Sequence, residues 1–142
     1  MSNEVKHRLE LFLCAKLTAA VSGLKALPMT GFGLSDSETS LEPPFTVVMV
    51  TTATKSHDSY SIWLCEGAVQ VVTHVNETGS DQHSAMVKQI YDALGAIAAD
   101  TSNAGFVFSG LSIMKTRTAD DSEHACHVDA FDFQAGCEQQ SG

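Results

Sequence analysis

The stretch from Ala68 to Ala99, A-V-Q-V-V-T-H-V-N-E-T-G-S-D-Q-H-S-A-M-V-K-Q-I-Y-D-A-L-G-A-I-A-A, constrains the fold more than any other part of the chain. It alternates with a period of two, passes through a polar turn, and then spaces its apolar residues three and four apart. A strand feeding an amphipathic helix in this way requires an α+β domain, a sheet with helices packed against it. In the strand Ala68–Asn76, Val69, Val71, Thr73 and Val75 share one face, and Gln70, Val72, His74 and Asn76 share the other. Apolar groups on both faces predict a central position in the sheet. The helix is expected over Asp81–Ala99, capped by Ser80 or Asp81. Met86, Ile90, Leu94 and Ile97 form its buried stripe, with Lys88, Gln89 and Asp92 facing out. Gly95 costs about 1 kcal/mol against alanine in a helix, which predicts close approach to a neighbouring element.

Upstream, Val5, Leu9, Leu13, Leu17, Ala20, Val21 and Leu24 recur on one stripe and predict a long first helix, Asn3–Leu27, ended by Pro28. Pro28–Pro44 has no period and reads as a loop, longer than most connections in compact domains. Its Phe32, Leu34 and Leu41 are apolar with no local core to enter. Phe45–Thr52 is rich in β-branched residues and reads as a strand. Tyr60–Cys65 and Ala68–Asn76 read as a hairpin turning at Glu66-Gly67. A final strand pair is expected at Phe106–Thr118 and His124–Phe133, with a frayed tail after it. The order α-β-β-β-α-β-β makes a mixed, mostly antiparallel sheet of about five strands with both helices packed on it.

A chain of 142 residues is one domain's length, and residues 1–142 are read as a single α+β domain. The N-terminus lacks the pattern of a signal peptide, because Glu10 interrupts the periodic segment, so synthesis in the cytoplasm is expected. No apolar run reaches the roughly 18 residues of a membrane span. Net charge is −9, with only eight Lys and Arg. An acidic domain gains nothing from displacing counterions around phosphates, which argues against direct nucleic-acid binding. Cys14, Cys65, Cys126 and Cys137 have no C-x-x-C spacing and read as reduced thiols, the first three as small core residues.

Catalytic and metal chemistry is thinly represented. His124, Cys126, His127 and Asp129 have the composition of a metal site, but alternation on a strand divides them between two faces, whereas zinc needs convergent ligands. They read better as a polar edge strand. His74 and His83 flank the N-E-T-G turn, where Asp81 or Glu77 could orient His74 as a general base. No nucleophile or oxyanion motif accompanies them, and turn roles account for all of them. Gly31-Phe-Gly33 follows a helix and so does not fit a dinucleotide fingerprint. No catalytic residue, cofactor or metal is expected.

The long N-terminal helix, the proline-marked loop leading into P-P-F-T-V-V-M-V, the strand-turn-helix above and the late hairpin ending H-V-D-A-F-D-F resemble the tail terminator and neck (head-tail joining) proteins of long-tailed bacteriophages. The resemblance covers most of the chain as a pattern of elements, without an invariant motif. It implies a virion protein assembled in the host cytoplasm into a homo-oligomeric, hexameric ring. That ring would end tail-tube polymerisation, contact the tail tube protein and the head-tail connector or stopper protein, and let genome DNA pass through its lumen without specific binding. Ring closure would also cover the edges of an open sheet. On this reading the contact residues are Phe32, Leu34, Asp36, Glu38, Leu41 and Glu42 in the long loop. Arg117, Asp120, Asp121 and Glu123, around the Thr118–Glu123 hairpin tip, complete the set. The alternatives are a neighbouring neck or tail-completion protein, a small cytosolic ligand-binding module or enzyme using His74, Glu77 and His83, and a cytosolic adaptor dimer.

Overall fold

The computed structural model describes residues 2–21, 24–28, 45–55, 62–74, 80–97, 106–121 and 126–139. In chain order these form α1 (Ser2–Ala20), β1 (Ala26–Pro28), β2 (Phe45–Lys55), β3 (Ile62–His74), α2 (Ser80–Ala96), β4 (Phe106–Asp121) and β5 (Cys126–Gln139). The five strands make one sheet in the order β1-β2-β3-β5-β4. β1 runs parallel to β2, and the other pairings are antiparallel. This is the expected α+β class, with β3 at the centre.

The stripe on α1 folds as its spacing requires. Val5, Leu9, Leu13, Leu17 and Val21 are all buried, the three leucines completely. Each fully buried leucine contributes roughly 1.5–3 kcal/mol of transfer free energy. They pack with Val48 and Val50 of β2, Val69 and Val71 of β3, and Phe131 and Phe133 of β5. On α2, Ile90 and Leu94 enter the same core, with Met86 and Ile97 at its rim. Both helices therefore cover one face of the sheet, α1 over β1 and β2, α2 over β4 and β5.

The structure corrects four readings. First, α1 stops at Ala20, and the residues expected to be its last turn become β1. In the sequence, Gly23 follows closely, and glycine is the poorest helix former after proline. The Lys25 carbonyl then accepts the Thr46 N–H at 2.8 Å and draws the chain into the sheet. Pro28 is tolerated because β1 is an edge strand.

Second, no hairpin turns at Glu66-Gly67. β3 runs straight through, with Glu66 opposite Thr52 and Gln134, and Gly67 opposite Val50 and Phe133. Gly67 is needed for close approach: a Cβ there would meet the Met49 carbonyl oxygen at 2.2 Å and Val50 Cα at 2.9 Å. Third, β5 continues to Gln139, where fraying was expected. Ala135 and Cys137 are buried there and pair with Cys65 and Trp63 of β3. Fourth, nothing lies within 4 Å of a Cβ built on Gly95, so no close neighbour requires that glycine.

Candidate functional site

No described helix covers the second face of the sheet. Cross-strand register places Val47, Gln70, Ala130 and Arg117 in one row on it, and Met49, Ala68, Asp132 and Lys115 in the next. Ala68 and Ala130 are only 5% exposed because they sit low between taller neighbours. Ile62 and Leu64 stand out on this face, and Met114, from a bulge in β4, is 63% exposed. Met49, Glu66, Met114, Arg117, Asp132 and Gln134 border a shallow open depression of about 410 Å³. It is a broad surface, mixed in polarity, and lacks the enclosure of a small-molecule site.

The β4–β5 hairpin forms the far edge of the sheet. β4 is 16 residues long and pairs only with β5 among the described residues. Its ladder is interrupted between Phe108 and Gly110 and between Ile113 and Lys115. Gly110 has φ 130°, a conformation other residues adopt at a cost. Arg117 is exposed and bonds to Asp132 at 2.7 Å, so its charge is compensated inside the chain. Asp120 and Asp121 lie at the end of β4, opposite His127 and Cys126. Glu123 and the loop residues Phe32, Leu34, Asp36, Glu38, Leu41 and Glu42 lie outside the described residues.

A second feature was not visible in the sequence. His83, in the first turn of α2, is buried, 6% exposed, and is not the turn residue it was read as. Its Nδ1 lies 2.6 Å from Thr73 Oγ1, and its Nε2 lies 2.5 Å from Asp129 Oδ2. Thr118 Oγ1 donates to Asp129 Oδ1 at 2.5 Å, and the His127 ring lies 5.1 Å from that of His83. A carboxylate only accepts, so Nε2 carries a proton. Nδ1 then accepts from the Thr73 hydroxyl, or donates to it if the ring is doubly protonated. Either way the cluster is satisfied.

Carboxylate, imidazole and hydroxyl in a line have the order of a hydrolytic triad. Thr73, near the end of β3, is fully buried, however, so its hydroxyl is not exposed as a nucleophile would be. The arrangement fastens the start of α2 to β3 and β5. It also separates the residues considered for a metal: Cys126 faces the uncovered side, while His127 and Asp129 face α2. β5 lies between β3 and β4, so these residues do not sit on an edge strand as expected. Among the described residues no group of three or more His, Cys, Asp or Glu could hold a metal ion.

All four cysteines are buried free thiols, Cys137 among them despite its expected place in a frayed tail. Burial, followed by the charge of Glu10, pushes the Cys14 thiol up to about 12. The hydrogen bond that the Cys137 thiol donates to Cys65, together with burial, holds Cys137 well above the ordinary thiol range. Glu10 is fully buried on α1, and its Oε2 accepts the Val50 N–H at 2.8 Å beside a bulge in β2. Of these groups only Cys126 lies on the uncovered face, and it is buried there.

No protein-family model matches the chain, and no curated protein is similar to it. Among solved structures, the fold is similar to that of a chain in the virion of a native gene transfer agent particle. The TM-score is 0.60 at 16% identity, over 96% of this chain and 95% of that one. A second solved chain gives a TM-score of 0.49 at 18% identity, over 94% of this chain and 92% of that one. The class defined by fold and surface is a mixed-sheet α+β domain whose described helices lie on one face, and the likeness of fold to the particle protein runs from end to end. No described helix is long and apolar enough to cross a membrane.

Proposed function

We propose that this chain is a structural protein of a phage-like particle and, within that class, a tail terminator. Copies of it form a hexameric ring that ends tail-tube polymerisation and offers the head connector its attachment surface. The observation that carries this reading is the end-to-end likeness of fold to a virion chain of a gene transfer agent particle. The broad uncovered sheet face supports it, since an assembly protein needs wide contact surfaces and no cleft. The net charge of −9 suits a ring around DNA, because a negative lumen lets a polyanion slide without adhering.

In this role the apolar residues Phe32, Leu34 and Leu41, with Asp36, Glu38 and Glu42 around them, contact a neighbouring subunit or ring. The hairpin tip, with Asp120, Asp121 and Glu123, makes a second contact. Replacing the three apolar residues with serine leaves the monomer folded and impairs assembly; normal assembly by that variant removes the loop from the contact set. The decisive experiment is electron microscopy of particles from a producer lacking this protein. Overlong tubes identify a terminator. Tails of normal length that fail to join heads identify an adjacent neck protein, and intact infectious particles refute both.

A further inference from the structure

We infer that copies of this chain join by sheet continuation, the β4 edge of one copy pairing with the open edge of β2 in the next. The inference rests on the ring reading above and names the surfaces that close it. β1 pairs with Thr46, Val47 and Val48 only, so β2 from Met49 to Lys55 has no strand on its outer side among the described residues. At the opposite side of the sheet, β4 pairs with β5 alone among the described residues. Among the described residues the sheet therefore has two open strand edges on opposite sides, the arrangement a head-to-tail ring requires.

Strand direction agrees. β2 is antiparallel to β3, β3 to β5, and β5 to β4, so β2 and β4 run in opposite directions. A neighbour generated by rotation about an axis along the strands keeps those directions, and its β2 meets β4 antiparallel, with the helix layers on the same side. Edge chemistry agrees as well. Thr51, Thr52 and Thr54 on β2 and Thr116 and Thr118 on β4 are exposed β-branched residues, suited to a strand interface. Charged residues commonly guard free edges. Here the Arg117 guanidinium is held by Asp132, which lowers that barrier.

Disulfide trapping tests the arrangement. Within one chain β2 and β4 are separated by β3 and β5, about 14 Å at the usual strand spacing, beyond the roughly 7 Å that a disulfide spans. Any bond between them is therefore between copies. Thr54 shares the uncovered face with Ser112, Lys115 and Arg117, whereas Thr116 and Thr118 point to the helix side. Thr54→Cys is combined in turn with Ser112→Cys, Lys115→Cys, Arg117→Cys, Thr116→Cys and Thr118→Cys, and the purified chains are oxidised over a concentration series. The four native thiols are buried and leave a low background.

At least one same-face pair should give a reducible ladder of multimers. The helix-side pairs, and chains with one added cysteine, should give none beyond dimers. Circular dichroism checks that each variant folds. Multimers visible by native mass spectrometry without a same-face ladder overturn edge pairing and leave the ring standing. A chain that stays monomeric at every concentration also overturns edge pairing; the terminator role is then judged separately, by tail length in the deletion particles.

Discussion

Replacing His83 with alanine tests whether the Thr73–His83–Asp129 line is a structural fastening. The imidazole joins the hydroxyl on β3 to the carboxylate on β5, at 2.6 and 2.5 Å. Its removal leaves the Thr73 hydroxyl and Asp129 Oδ2 without this partner, at about 1–3 kcal/mol for each buried group left unsatisfied, while Asp129 Oδ1 keeps its bond from Thr118. The Asp129 side chain is 18% exposed and recovers part of that loss through water. The expected cost is about 2–4 kcal/mol. For a chain of 142 residues the unfolding entropy is about 0.3 kcal/mol/K, so the melting temperature should fall by about 7–13 K.

Urea unfolding followed by far-UV circular dichroism gives the free energies for His83→Ala, Asp129→Ala and the double variant. Because both residues belong to one network, the double variant should cost little more than His83→Ala alone, a coupling of about 1–2 kcal/mol. A His83→Ala chain within about 0.5 kcal/mol of the parent, or strictly additive single effects, would refute the reasoning. Thr73→Val, which keeps the shape and removes the hydroxyl, should lose about 1 kcal/mol.

The two glycines on β3 and α2 should respond with opposite signs. Gly67→Ala places a methyl within 2.2 Å of the Met49 carbonyl oxygen and should destabilise by several kcal/mol, on the order of 3. Gly95→Ala meets nothing and should stabilise by about 0.5–1 kcal/mol; both are read from urea midpoints. Glu10→Ala leaves the buried Val50 N–H without its carboxylate and should cost about 2–4 kcal/mol. Glu10→Gln retains an acceptor of the same shape and should recover most of that. Alkaline pH should weaken the fold through Cys14. Its folded pKa of about 12 lies above the unfolded value of 9.0, so its contribution is complete below pH 9.0 and is lost as pH rises toward about 12. Cys14→Ala should flatten that slope in urea midpoints measured across the same range.

The parts of the fold legible in the sequence are those fixed by short-range periodicity. The Met86, Ile90, Leu94 and Ile97 stripe gave the orientation of α2, and the alternation Val69, Val71, Thr73 gave the inner face of β3. Readings failed where a contact between distant segments decided the outcome. Gly67 has the local look of a turn, yet its reason is the carbonyl of Met49, which comes from a different strand. β1 is three residues long and follows an apolar spacing that continues the helix, and only pairing with Thr46–Val48 reveals it. Ala135 and Cys137 were hidden because small residues separated by Gly136 give little hydrophobic signal. The His83–Asp129 contact joins residues 46 apart, which no local pattern encodes. The uncovered face emerges only once both helices are placed on the other side. Of the contact residues read from the chain, only the hairpin group from Arg117 to Asp121 falls among the described residues.

Cryo-electron microscopy of the intact particle bears most directly on the proposed role, because it locates this chain among the others. A closed ring of copies at the head-proximal end of the tail tube, one layer deep, is the predicted result. Finding the chain in the capsid shell, repeated along the tube wall, or missing from purified particles would contradict it.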